Sequence, residues 1–175
     1  QYIAEAAAHE VGHNMGLSHD GTTAGAEYYE GHGSGATSWS SIMGVGYYVN
    51  VSQWSKGEYY LANNTQDDLA IIAGKTPYRT DDVGNSIASA GGLTITNALF
   101  VSATTPETDP ASTKTGNKGV IERNSDADYF AFTSGAGPVS FTVTPWVSPA
   151  NSRGGNLDLK LSILNSAGTT PAATN

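Results

Sequence analysis

Three of the four histidines in this 175-residue chain, His9, His13 and His19, fall in one short run that begins His9-Glu10-Val11-Gly12-His13 and ends at His19-Asp20. His9 and His13 are four apart, a spacing that on a helix puts two imidazoles on one face roughly 5–6 Å apart, suited to a single metal ion. Glu10 lies about 100° around the helix from His9, so it can border such a site without being a ligand and act on water held there. A catalytic zinc takes three protein ligands and keeps one position open, so a third donor must come from outside the helix. His19 is that donor, and Gly16 lets the backbone turn sharply enough to deliver it. Neutral histidine ligands leave the charge of Zn²⁺ uncompensated, which favours ionisation of a bound water near neutral pH. Cys is absent, which removes disulfides, thiolate sites and thiol nucleophiles and leaves His and carboxylate as the strong metal ligands. The fourth histidine, His32, stands between Gly31 and Gly33 and reads as a solvated loop residue.

The elements that must position these groups follow from spacing and breakers. Ile3, Ala6, Ala7, Val11 and Met15 fall near one another at helical spacing, which predicts a helix over residues 1–16 with Gly16 as its left-handed stop. Residues 21–46, rich in Gly, Ser and Thr, read as irregular loop. Thr65-Gln66-Asp67-Asp68 ahead of Leu69, Ile71 and Ile72 has the form of a capped second helix that Gly74 closes. Pro77 and the polar run after it mark a domain boundary at residue 78. Beyond it the period becomes two: Val139, Phe141 and Val143, and then Leu157, Leu159, Leu161 and Ile163, alternate with polar residues as half-buried strands do. Shorter strand candidates are Leu93 to Ile95, Leu99 to Val101, Val120 to Glu122 and Tyr129 to Thr133, and residues 102–115 read as a loop.

The run from His9 to His19 resembles the extended signature of the metzincin zinc endopeptidases, and Ser41-Ile42-Met43-Gly44 resembles their Met-turn. By average residue frequencies, chance occurrence of the five defining positions of that run is on the order of one in 10⁵. The resemblance implies His9, His13 and His19 as zinc ligands, Glu10 as general base and acid, Met43 as the hydrophobic floor, and Gly16 and Asp20 as structural residues near the site. Asp20 is similar to the acid that supports local structure in the adamalysin and snapalysin-like branch, and reads equally well as a turn-forming Asp. Val45 stands where other branches carry a zinc-reaching Tyr, so that role does not transfer; Tyr47 and Tyr48 read as packing or substrate-cleft residues. Trp54 reads as aromatic packing.

The second part resembles the bacterial pre-peptidase C-terminal domain, through Asp81-Asp82-Val83-Gly84-Asn85-Ser86, Gly119-Val120-Ile121-Glu122, Asp126-Ala127-Asp128-Tyr129-Phe130 and Asn156-Leu157-Asp158-Leu159-Lys160-Leu161. The implied fold class is α+β. Residues 1–78 would be the C-terminal portion of a metzincin catalytic domain, with active-site helix, Met-turn and second helix, and residues 79–175 an incomplete all-β sandwich. Asp81, Asp82, Asp126 and Asp128 offer hard oxygen ligands for Ca²⁺, as in some relatives of that domain, and serve as well as plain turn acids.

The expected function is therefore hydrolysis of internal peptide bonds in protein substrates by a zinc-activated water, in a secreted bacterial protein that acts as a monomer. The alternative is a non-enzymatic piece whose β-sandwich serves substrate or surface attachment. A zinc amidase or deacetylase uses the same metal chemistry but is disfavoured by the Met-turn. A formal charge of −8 repels nucleic acid, and no apolar run approaches the ~20 residues of a membrane span. The start at Gln1, close to the histidines, reads as a fragment whose signal peptide, pro-segment and substrate-lining sheet lie upstream, so that the piece alone is expected to be inactive.

Overall fold

The computed structural model describes residues 2–93, 95–97, 100–101, 117–147, 153 and 157–170. The loop expected over residues 102–115, together with Thr94, Leu99 and Asn156, lies outside the described residues. The chain divides into two compact units, one of Gln1–Pro77 with Pro145–Leu159 and the other of Tyr78–Thr144 with Lys160–Asn175.

In the first unit the Ala-rich start forms α1, Tyr2–Asn14. It stops two residues before Gly16, whose φ of +94° suits a residue without Cβ. The exit is a Schellman motif: Leu17 N–H donates to Gly12 O at 3.0 Å and Gly16 N–H to His13 O at 2.9 Å, satisfying two orphan carbonyls of the last turn. The apolar spacing of α1 does not mark its packed face. Ile3 is 87% and Val11 49% exposed, and the buried residue of the helix is Gly12.

Two three-residue strands, β1 at Trp39–Ser41 and β2 at Val51–Gln53, pair in parallel with Trp39 opposite Val51. The first lies in the stretch read as irregular loop, because Trp-Ser-Ser carries no alternation of apolar and polar residues. The turn between them holds Met43, tied to β2 by Ile42 N–H donating to Gln53 O at 2.8 Å. Next comes α2, Asp68–Ala73. Asp67 caps it by accepting from Ala70 N–H at 3.0 Å, and Gly74 N–H closes it on Ala70 O at 3.1 Å. Leu17, Tyr29, Met43, Val49 and Tyr59 make the apolar core, interleaved with buried Asp20, Ser40, Ser41, Ser55 and Asp68.

In the second unit β3 at Gly91–Gly92 pairs in parallel with β6 at Phe130–Ala131, and β4 at Ile95–Asn97 pairs antiparallel with β5 at Phe100–Val101. Among the described residues, Val139 to Val143, Leu157 to Ile163 and Val120 to Glu122 take no place in a ladder. Alternation makes a half-buried face possible, but a strand also needs a neighbour to accept its hydrogen bonds. No helix among the described residues is long and apolar enough to cross a membrane.

Candidate metal centre and its surroundings

α1 and the reversal at Gly16 bring His9, His13 and His19 together, with one ligand atom from each within 4.8 Å of the others. Ring centroids are 4.9 Å apart for His9 and His13, 5.2 Å for His9 and His19 and 4.7 Å for His13 and His19. Every ring is anchored through Nδ1. His9 Nδ1 donates to Ile42 O at 2.8 Å and His13 Nδ1 to Leu17 O at 2.9 Å. His19 Nδ1 meets Glu27 Oε1 at 3.2 Å. A carbonyl or carboxylate partner favours the Nδ1–H tautomer, and in a neutral ring that tautomer leaves Nε2 with its lone pair for a metal ion. The donor set thus fits a zinc ion held by three imidazoles.

Glu10, next to His9 in α1, is exposed and is not among the three residues whose ligand atoms converge. Met43 is fully buried and packs under the helix at Gly12, so closely that a Cβ on Gly12 would overlap Met43 Sδ and come within 3.2 Å of Trp54. Gly12 is thereby a structural residue of the site that spacing arguments passed over; its signal was a glycine inside a helical pattern. Trp54 serves as packing against α1.

Asp20, 1% exposed, is a buried brace. Its N–H donates to Met43 O at 2.9 Å, its main-chain O accepts from Tyr29 N–H at 2.6 Å, and its Oδ2 accepts from Ser55 Oγ at 2.7 Å. Ser55 N–H in turn donates to Asp68 Oδ2 at 2.9 Å. One chain of contacts therefore runs from the residue after His19 to the Met43 turn and to the first residue of α2. Burial, and then the charge of Asp20, pushes the Tyr59 hydroxyl well above the usual tyrosine range, and burial lifts the Asp68 carboxyl to about 6.

Tyr28 was not anticipated. Its ring lies 4.4 Å from that of His19 and 6.2 Å from that of His9. Burial first, then the charges of Glu27 and Glu10, raises its phenol above the ordinary value. Tyr47 lines a narrow cleft beside His9 with Glu5, Ile42, Gly46 and Ser52, whereas Tyr48 is 80% exposed. His32 stays out of the metal cluster and is exposed, yet it is not free in solvent: its Nδ1 pairs with the Tyr29 hydroxyl at 2.6 Å.

The second unit gathers Asp81, Asp126 and Asp128, one oxygen of each within 4.8 Å of the others. Asp82 does not join them; its carboxylate faces Arg79 at 3.4 Å and accepts from Val120 N–H at 3.3 Å. Glu122, which no acidic pattern had marked, is buried nearby, 3.8 Å from Arg79. Oδ1 of Asp126 and of Asp128 are buried without a hydrogen-bond partner. Burial, and then the charges of Asp126, Asp82 and Asp81, carries Asp128 up to about 7.

The three histidines meet where α1 rests on the buried Met43, and sequence comparison supplies the family. Residues 2–117 match the sequence model of the family Peptidase M66, and the chain belongs to that family. It is a member of a protease family, with protein substrates as the class that family implies. The match runs past the unit boundary after Pro77. No curated protein and no solved structure matches the chain.

Proposed function

We propose that the chain carries the zinc-holding part of a metzincin-type metalloendopeptidase that acts outside the cell. The observation that supports this best is the set of three histidines whose Nδ1 atoms are all committed to acceptors, leaving three Nε2 atoms for one ion. Zn²⁺, when bound, polarises the scissile carbonyl and acidifies the attacking water. Glu10, next to His9 on the exposed side of α1, takes the proton from that water and returns it to the leaving amine. Met43 fixes the height of α1 at Gly12, and Asp20 ties the His19 loop to the same turn. Glu10→Ala in the longest protein that carries this chain should keep its zinc and lose casein hydrolysis by a factor of 10² or more. Turnover near that of the parent would remove Glu10 from the mechanism.

For the second unit we propose Ca²⁺ as the occupant of the Asp81, Asp126 and Asp128 cluster. Two buried carboxylate oxygens lack partners there, and burial, followed by repulsion from the neighbouring acids, resists ionisation of Asp128. Ca²⁺ at pH 7.5 should raise the Tm of the full chain, and Asp126→Asn should abolish the rise. A calorimetric titration with no heat, and no thermal shift, would dispose of the site.

A further inference from the structure

The three ligand rings are not anchored alike. The acceptors for His9 and His13 are main-chain carbonyls of Ile42 and Leu17, which any residue at those positions would supply. The acceptor for His19 is a side chain, the carboxylate of Glu27. The intervening peptide is shaped to bring it there. Thr22 N–H donates to Ala26 O at 2.8 Å, Gly25 turns the chain at φ +99°, and Tyr29 N–H returns to Asp20 O. Gly21 permits the close return, since a Cβ there would stand 2.6 Å from the main-chain O of Glu27.

The main chain of His19 is gripped independently. Asn64 Nδ2 donates to His19 O at 3.3 Å, and the following N–H, that of Asp20, donates to Met43 O. What remains free in His19 is the ring orientation and the tautomer, and Glu27 acts on both. The Glu27 side chain is 70% exposed, so water screens its charge and its contribution is chiefly that of a positioned acceptor.

We propose that Glu27 is the positioning residue for the third metal ligand, holding the His19 ring as its Nδ1–H tautomer and thereby setting how tightly the centre takes up Zn²⁺. This rests on the zinc reading of the histidine cluster. The test is Zn²⁺ affinity, by competition with a chromophoric chelator, in the full chain and its Glu27→Ala and Glu27→Gln variants, with thermal melts of the zinc-free proteins alongside. Glu27→Ala should weaken Zn²⁺ binding by about tenfold or more. Glu27→Gln, whose amide oxygen still accepts from Nδ1–H, should stay near the parent, and the zinc-free melting temperatures should coincide.

Three results would overturn the proposal: Glu27→Ala within about twofold of the parent, equal losses in both variants, or a loss matched by collapse of the zinc-free melt. A folded parent that takes up no Zn²⁺ sinks the zinc reading and this proposal together. A parent that binds Zn²⁺ while Glu27→Ala binds it equally well sinks this proposal alone.

Discussion

At the scale of single residues, Asp68 shows how far a local reading goes and where it stops. Its position in Asp67-Asp68 ahead of an apolar run marks it as an acid of a first helical turn, which it is. It is completely buried and accepts from the N–H of Ser55, thirteen residues away, and no local pattern contains that contact. The consequence is measurable. A carboxyl lifted to about 6 from an ordinary 3.8 holds its proton more tightly folded than unfolded. Its stabilising contribution is therefore complete below about pH 4 and is lost as the pH rises toward 6. With a chelator present to remove metal effects, the Tm of the first unit should fall across that interval through this group, and Asp68→Asn should flatten the fall. Calorimetry at pH 4, 5 and 6 giving the same slope for both proteins would contradict the assignment.

At the scale of elements, α1 was legible from its Ala-rich run and its Gly16 stop, while β1 and β2 were not. A helix end is written in one glycine and its neighbours, but a three-residue parallel pair such as Trp39–Ser41 with Val51–Gln53 is specified by packing across the loop that separates them. The histidine spacing marked three residues that the structure brings together, whereas the apolar residues of α1 do not mark its packed face. Gly12, not Ile3 or Val11, lies against the core, because Met43 fills the space a side chain would take. Gly12→Ala is accordingly a contest between a helix-propensity gain of about 1 kcal/mol and an overpacking cost of about 1–3 kcal/mol. With Met43 fully buried and Trp54 and Leu17 also close to the added Cβ, overpacking is expected to win. The Tm should drop by roughly 2–4 °C per kcal/mol lost, and Zn²⁺ affinity should fall with it as His9 and His13 shift relative to His19. A substitution that raises the Tm would mean that Met43 has room to move.

At the scale of the whole molecule, the charge of −8 and the absence of Cys bound the chemistry from composition alone. The division of labour between the two units was less legible. The break near residue 78 carries a local signal in Pro77, but the return of Pro145–Leu159 to the first unit carries none. The Peptidase M66 match, which spans 2–117, likewise treats as one what composition divides. Leu17 has a further consequence. Its N–H completes the end of α1 on Gly12 O, and its carbonyl fixes the ring of His13. Closing the helix and orienting the His13 ring thus share one residue, so a chain still fraying at Gly16 presents His13 without its Nδ1 acceptor. On the proposed zinc reading, high-affinity metal loading follows folding of this corner rather than nucleating it, and the rate of metal capture by refolding protein should track the rate at which the helix end closes.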